Sequence, residues 1–244
     1  MKNKINDTII IIPAFNEEGS ILNVIKGCKK DLPNADIGII NDASTDKTSE
    51  ITKSENVKII NMSFNLGVGT ALQTGYKYAD KYKYDYIIQL DADGQHDTDY
   101  LPEFINKLKT QKYDFIIGSR FLKGVKYKDH FVRRFWINIF AKFLSLIINE
   151  KLTDPTSGFR AFNRKVLNYC VTDSYNFEYP DADFLLTLHK IGIKFYEIPI
   201  VMNKRVSGKS QYTGLKPFYY IIKMVLSIFI VLLRSKKKTR GFYV

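Results

Sequence analysis

Apolar, β-branched runs recur at intervals along this chain, and each is closed by a polar cluster before a helix-type pattern begins. They are residues 8–12 (ended by Pro13), 37–40, 57–60, 86–90 and 115–118, with a further one at 194–201. Strands that are apolar throughout are buried on both faces, the signature of a parallel sheet covered by helices. Between them lie helical spacings such as Ile21, Leu22, Val24 and Ile25, and capping residues such as Ser44, Thr45 and Asp46. The pattern predicts an α/β fold with a doubly wound, mostly parallel sheet and right-handed crossovers. A chain of 244 residues makes one large domain, expected over 1–213, with an appendage over 214–244.

Ligands on such sheets bind outside the carboxyl ends of the strands. The polar clusters fall there: Asn16 and Glu17 after the first strand, Asp42 after the second, Asp91 and Asp93 after the fourth, Arg120 after the fifth. In an extended segment Asp91 and Asp93 point to the same side, and Gln95 adds an amide two residues on. Oxygen ligands of this kind suit Mg²⁺ or Mn²⁺ shared with a phosphate-rich partner. Taken alone, Asp91-Ala92-Asp93 reads more readily as an acidic turn helped by Gly94. Gly67-x-Gly69 follows the third strand, either as a helix entry near a ligand or as a plain turn. No P-loop, H-E-x-x-H or G-x-S-x-G occurs, and His96, His130 and His189 are scattered.

In the second half, residues 129–149 combine helical spacing with a wide apolar face, suiting a packing helix or a rim helix that aims Arg133 and Arg134 at an anionic, partly apolar acceptor. A turn-rich segment, 154–160, comes next. Asp181 and Asp183 then precede an apolar helix, as candidate general bases or first-turn residues. The basic loop 203–211 could close over phosphates or lie on the surface. Residues 218–233 are apolar except Lys223 and Ser227, and Arg234, Lys236, Lys237, Lys238 and Arg240 follow. Sixteen helical residues reach about 24 Å, short of a bilayer's hydrocarbon core. The spacing predicts an amphipathic helix in the membrane interface, with tilted insertion as the alternative. Net charge is +12, and its concentration beside this apolar run favours an anionic membrane surface over nucleic acid. Cys28 and Cys170 form no disulfide framework, and residues 1–7 lack a signal-peptide core, so the cytoplasmic face of the membrane is expected.

The strings Ile12-Pro13-Ala14-Phe15-Asn16-Glu17-Glu18, Asn41-Asp42-Ala43-Ser44-Thr45-Asp46, Leu90-Asp91-Ala92-Asp93-Gly94-Gln95-His96, Gly118-Ser119-Arg120-Phe121 and Asp154-Pro155-Thr156-Ser157-Gly158-Phe159-Arg160 carry a resemblance. In this order the chain resembles the family 2 glycosyltransferases of the GT-A fold, especially the dolichyl- and polyprenyl-phosphate sugar synthases. That resemblance implies a metal-dependent, inverting transfer from a nucleotide-sugar to polyprenyl phosphate. Pro13, Phe15, Glu17, Ile40 and Asp42 would hold the nucleotide. Asp91, Ala92 and Asp93 would carry metal and diphosphate, with Gln95 as a further ligand, and Arg120, Arg205 and Lys209 would meet the diphosphate or sugar. Arg134, Asn138 and Ser157 would approach the acceptor phosphate. Should the acceptor be a sugar hydroxyl on a lipid-linked or wall glycan instead, Asp183 is the candidate base. A non-catalytic basic module and a nucleotidyltransferase are the rival classes. The short C-terminal apolar run leaves room for a small membrane protein as partner.

Overall fold

A computed structural model describes residues 6–122, 125, 131–175, 182–203, 216–233, 238–239 and 242–243. Asp181, Arg205 and Lys209 lie outside the described residues. So do the tail cations Arg234, Lys236, Lys237 and Arg240, and the side chains of Arg133, Lys223 and Lys238.

The sheet contains β1 (Thr8–Ala14), β2 (Asp36–Asn41), β3 (Lys58–Asn61), β4 (Tyr86–Gln89), β5 (Phe115–Ser119), β6 (Arg160–Asn163) and β7 (Phe195–Pro199). Their order is β3-β2-β1-β4-β6-β5-β7. All pairings are parallel except the two made by β6, which runs antiparallel between β4 and β5. The expected strands are all present. β1 continues beyond the predicted end at Ile12, because its ladder with β2 runs on through Pro13 and Ala14. The antiparallel strand was not predicted. It is four residues long with Arg and Asn at its ends, so it carries no apolar run. Its two central residues still alternate between the faces, Ala161 to one core and Phe162 to the other.

Side-chain alternation builds a core on each face of the sheet. Ile9 and Ile11 face one cluster and Ile10 and Ile12 the other, all fully buried. Helices α1 (Ile21–Asp31), α2 (Thr48–Ser54) and α4 (Leu101–Lys109) cover the second face. Helices α3 (Val68–Lys81), α5 (Phe131–Ile148), α6 (Arg164–Cys170), α7 (Ala182–Lys190) and α8 (Lys216–Leu233) cover the first. α3 lies especially close to the sheet. A Cβ on Gly75 would come within 2.5 Å of Ile11 and 3.2 Å of Ile40.

The last helix is part of this packing. Ile228 and Val231 enter the core beside α7. Lys190 donates to the carbonyl of Val231, near the end of α8. Ser227, part of the polar stripe that the spacing predicts along this helix, faces inward and donates to the Asp183 carboxylate at 2.5 Å. Among the described side chains the outward ones are apolar: Val225, Leu226, Phe229, Ile230 and Leu233 are exposed. A buried carboxylate needs a donor, and α8 supplies one by turning its hydroxyl inward. No described helix is long and apolar enough to cross a membrane.

Gly75→Ala should lower stability by about 1–3 kcal/mol through overpacking, although alanine is the better helix former by about 1 kcal/mol. Urea denaturation measures this directly; an unchanged or higher midpoint would contradict the close contact.

Candidate active site

The parallel strands and their helices bring one set of loops to the carboxyl edge of the sheet. Asn16 and Ala43, just past β1 and β2, adopt left-handed backbone, with φ of 55° and 58°. Non-glycine residues in that conformation gather at functional sites when their surroundings hold them there. Here the two loops clasp each other. The Asn16 amide donates to Ser44 Oγ at 3.0 Å, and the Thr45 amide to Asn16 Oδ1 at 2.8 Å. Pro13 and Ile40 are buried beneath this clasp, and Phe15 is exposed above it. Glu17 accepts from the Ser20 hydroxyl at 2.9 Å. Asp42 is buried and binds the turn after β3, accepting from the amides of Leu66 and Gly67 at 2.9 Å each. Asp42 therefore shapes the floor, and its carboxylate faces backbone amides.

After β4, Asp91 and Asp93 lie in a short turn. Asp93 is buried and accepts from the Gln95 amide at 3.0 Å. Asp91 is more open, with its side chain 42% exposed, and its Oδ2 lies 3.1 Å from His96 Nε2. The backbone of Gly158 comes so near that a Cβ there would lie 2.9 Å from the same Oδ2. Among the described residues no group of three or more His, Cys, Asp or Glu side chains could hold a metal. The donors that are present, paired carboxylates and an amide, are all oxygen. They match a hard divalent cation that takes its remaining ligands from phosphate or water.

Arg120, following β5, is 5% exposed and closes a bidentate pair with Asp154, Nε to Oδ2 at 2.6 Å and Nη2 to Oδ1 at 2.7 Å. Nη2 also donates to Thr156 at 3.0 Å. Through these bonds the guanidinium expected at the donor diphosphate also holds the 154–158 turn. Glu197 of β7 extends the network by accepting from the amides of Thr153 and Asp154, each at 2.9 Å. Burial pushes the Glu197 carboxyl above its ordinary range, and the neighbouring Asp154 charge adds to this, against the pull of those hydrogen bonds. Ser157 is buried within the same turn, its Oγ accepting from the Phe159 amide at 3.2 Å.

Beside this turn, a cleft of about 490 Å³ opens along α5, lined by Arg134, Asn138, Lys142, Ser145, Lys151 and Thr153 among others. Arg134 and Asn138, expected at the acceptor, are thus together. Ser157 does not line the cleft. Lys142 and Lys151 were not anticipated, though the i, i+4, i+8 spacing of Arg134, Asn138 and Lys142 could have revealed the first. Phe121 joins the cleft to the buried pair, with the Arg120 and Arg134 guanidinium carbons 5.3 and 5.5 Å from its ring centre. About 100° round the helix, α5 exposes Phe135, Ile139 and Phe143, and the stripe runs on to Leu146, 81% exposed, which also lines the cleft. Asp183, by contrast, is only 4% exposed and lies against α8.

Replacing Glu197 by Gln keeps an acceptor for the two amides and removes the titration. The native state holds this proton at pH values where the unfolded chain has lost it. Stability from the group therefore falls as pH rises from the ordinary glutamate range through the raised value. Urea denaturation across that window should show wild type losing stability relative to Glu197→Gln as pH increases; a constant difference would contradict the shift.

Residues 9–170 match the sequence profile of glycosyl transferase family 2. An uncharacterized protein of Methanocaldococcus jannaschii is 34% identical over 231 residues, covering 90% of this chain and 93% of that protein. The undecaprenyl-phosphate mannosyltransferase of Micrococcus luteus is 26% identical, covering 84% of this chain and 87% of that enzyme. Among solved structures, glucosyl-3-phosphoglycerate synthase from Mycobacterium tuberculosis, crystallised with Mn²⁺, UDP-glucose and phosphoglyceric acid, superposes with a TM-score of 0.69 at 15% identity. That match covers 92% of this chain and 79% of the other. The strand-end loops, the Asp91–Gln95 turn and the family match agree: this chain belongs to the family 2 glycosyltransferases.

Proposed function

We propose that the protein moves a sugar from a nucleoside-diphosphate sugar to the phosphate of a polyprenyl carrier, at the cytoplasmic surface of a membrane. The observation that carries this reading is the pairing of two features of α5. Arg134, Lys142 and Lys151 line one cleft, and an exposed apolar stripe from Phe135 to Leu146 runs beside it. An amphiphilic phosphate matches both, its anion in the cleft and its hydrocarbon along the stripe. The names of two relatives, the Micrococcus luteus enzyme and the polyprenol monophosphomannose synthase of Mycolicibacterium smegmatis, support a lipid phosphate as acceptor. The exposed apolar face of α8, with the basic sequence that follows it, supports attachment to an anionic membrane.

In this scheme Pro13, Phe15, Glu17 and Ile40 border the nucleotide, while Asp42 holds the loop beneath it. Asp91, Ala92, Asp93 and Gln95 receive the diphosphate and an Mg²⁺ or Mn²⁺ ion, and Arg205 and Lys209 supply further positive charge. Mn²⁺ in the Mycobacterium tuberculosis synthase supports that choice of cation. A bound cation would neutralise charge growing on the leaving diphosphate. Arg134 and Asn138, with Lys142, steady the acceptor phosphate. One of its oxygens, already anionic, attacks the anomeric carbon opposite the diphosphate. The new C–O bond forms as the sugar–diphosphate bond breaks, the nucleoside diphosphate departs, and the anomeric configuration inverts. This chemistry asks for no general base, in keeping with the burial of Asp183 under α8.

Transfer assays with UDP-, GDP- and dTDP-sugars and polyprenyl phosphate in Mg²⁺ or Mn²⁺ test the assignment. Asp93→Asn should abolish turnover in a folded protein. Arg134→Ala with Lys142→Ala should raise the KM for polyprenyl phosphate about tenfold or more, with the donor KM unchanged, about 1.4 kcal/mol of lost binding. Full activity of either variant would overturn the corresponding assignment.

A further inference from the structure

His96 takes no part in the chemistry above, yet it is buried and held in place beside Asp91. Its ring is only 5% exposed and packs on Phe159 with centroids 5.0 Å apart. Phe159 in turn stacks on Phe104 at 4.4 Å. The His96 backbone bridges to Met202, and the Asn203 amide donates to the Gln95 carbonyl at 2.9 Å. The ring is therefore fixed both by its own stacking and by a clasp on its backbone. From this mount Nε2 reaches Asp91 Oδ2 at 3.1 Å.

An ionised carboxylate only accepts hydrogen bonds, so Nε2 carries the hydrogen in this contact. The other ring nitrogen, Nδ1, is buried and has no hydrogen-bond partner among the described residues. Buried polar atoms left in this way call for an explanation. A purely apolar side chain would fill the space beside Phe159 without leaving one. What the imidazole adds is the N–H aimed at Asp91. Gly158 completes the arrangement, because its bare Cα lets the backbone approach the same Oδ2 from elsewhere in the turn.

We infer that His96 is a positioning residue for Asp91. Its Nε2–H pins Oδ2 and sets the carboxylate's rotamer before any cation arrives. The inference rests on the proposal that Asp91 ligates the metal. Groups that hydrogen-bond to a metal's ligands orient them, and their loss commonly weakens metal affinity by about 10- to 100-fold. Two variants separate the hydrogen bond from the packing. His96→Gln retains an N–H within reach of Asp91, whereas His96→Leu supplies packing alone.

Free Mn²⁺ measured by electron paramagnetic resonance, titrated into the full chain with GDP and separately with UDP, reads the effect without any turnover. Wild type should take up more Mn²⁺ than Asp93→Asn. His96→Leu should bind it about tenfold or more weakly, and His96→Gln should stay within about threefold of wild type. Nucleotide binding without metal should be the same in all of them. Gly158→Ala, which crowds the same oxygen while leaving the ring in place, should also weaken Mn²⁺ uptake, and His96→Met serves as the second packing-only variant should His96→Leu not fold. Wild-type affinity in His96→Leu or Gly158→Ala, or a loss in folded His96→Gln equal to that in His96→Leu, would overturn the inference. Wild type taking up no more Mn²⁺ than Asp93→Asn would instead overturn the metal site itself, and the inference with it.

Discussion

The buried pair of Arg120 and Asp154 is the interaction on which the rest of the site depends. Arg120 follows β5, Asp154 opens the turn into the antiparallel strand β6, and Glu197 of β7 grips the amides of that turn. Three neighbouring strands are thus tied together at the edge where ligands bind. Removing one partner of such a pair leaves an uncompensated buried charge, at a cost of about 3–5 kcal/mol. Lysine would not restore the planar fork that meets both carboxylate oxygens. The turn held in this way brings Gly158 against Asp91, and Phe121 carries the contact on to Arg134 and the α5 cleft. The Asp91–Gln95 turn and the cleft are positioned by the same clamp.

Much of this edge is legible in the sequence because strand signals and chemistry coincide there. Apolar runs locate the strands, and the parallel topology sends Glu17, Asp42, Asp91, Asp93 and Arg120 to one rim. What sequence spacing cannot supply is partnership. Asp42 and Arg120 read as ligand-facing groups; that the first also binds the amides of Leu66 and Gly67, and the second Asp154, 34 residues away, is visible only in the fold. β6 is hidden because a strand inserted between two buried neighbours needs only Ala161 and Phe162 to satisfy both cores. His96 looks like a lone histidine until the fold sets its Nε2 beside Asp91.

The C-terminal helix shows a subtler limit. The spacing places Ser227 in a polar stripe, but periodicity alone does not say whether a stripe meets water or protein. Asp183, buried at the start of α7, supplies an acceptor and draws Ser227 inward. The side left outside is apolar, as is the exposed stripe of α5. In the proposed reaction these surfaces have a common use, since a polyprenyl phosphate is delivered from a bilayer with its charge at the interface. On that proposal, apolar contact would attach the enzyme while the cations of the cleft would select the phosphate.

The central claim is that the sugar is joined to a lipid phosphate. Mass spectrometry of the lipid product, after incubating the purified protein with a nucleotide-sugar, Mn²⁺ and polyprenyl phosphate in vesicles, tests it most directly. The account predicts polyprenyl phosphate heavier by one sugar, joined through its phosphate, with one nucleoside diphosphate released per product. Sugar transferred only to the hydroxyl of a lipid-linked glycan, with polyprenyl phosphate unchanged, would contradict it.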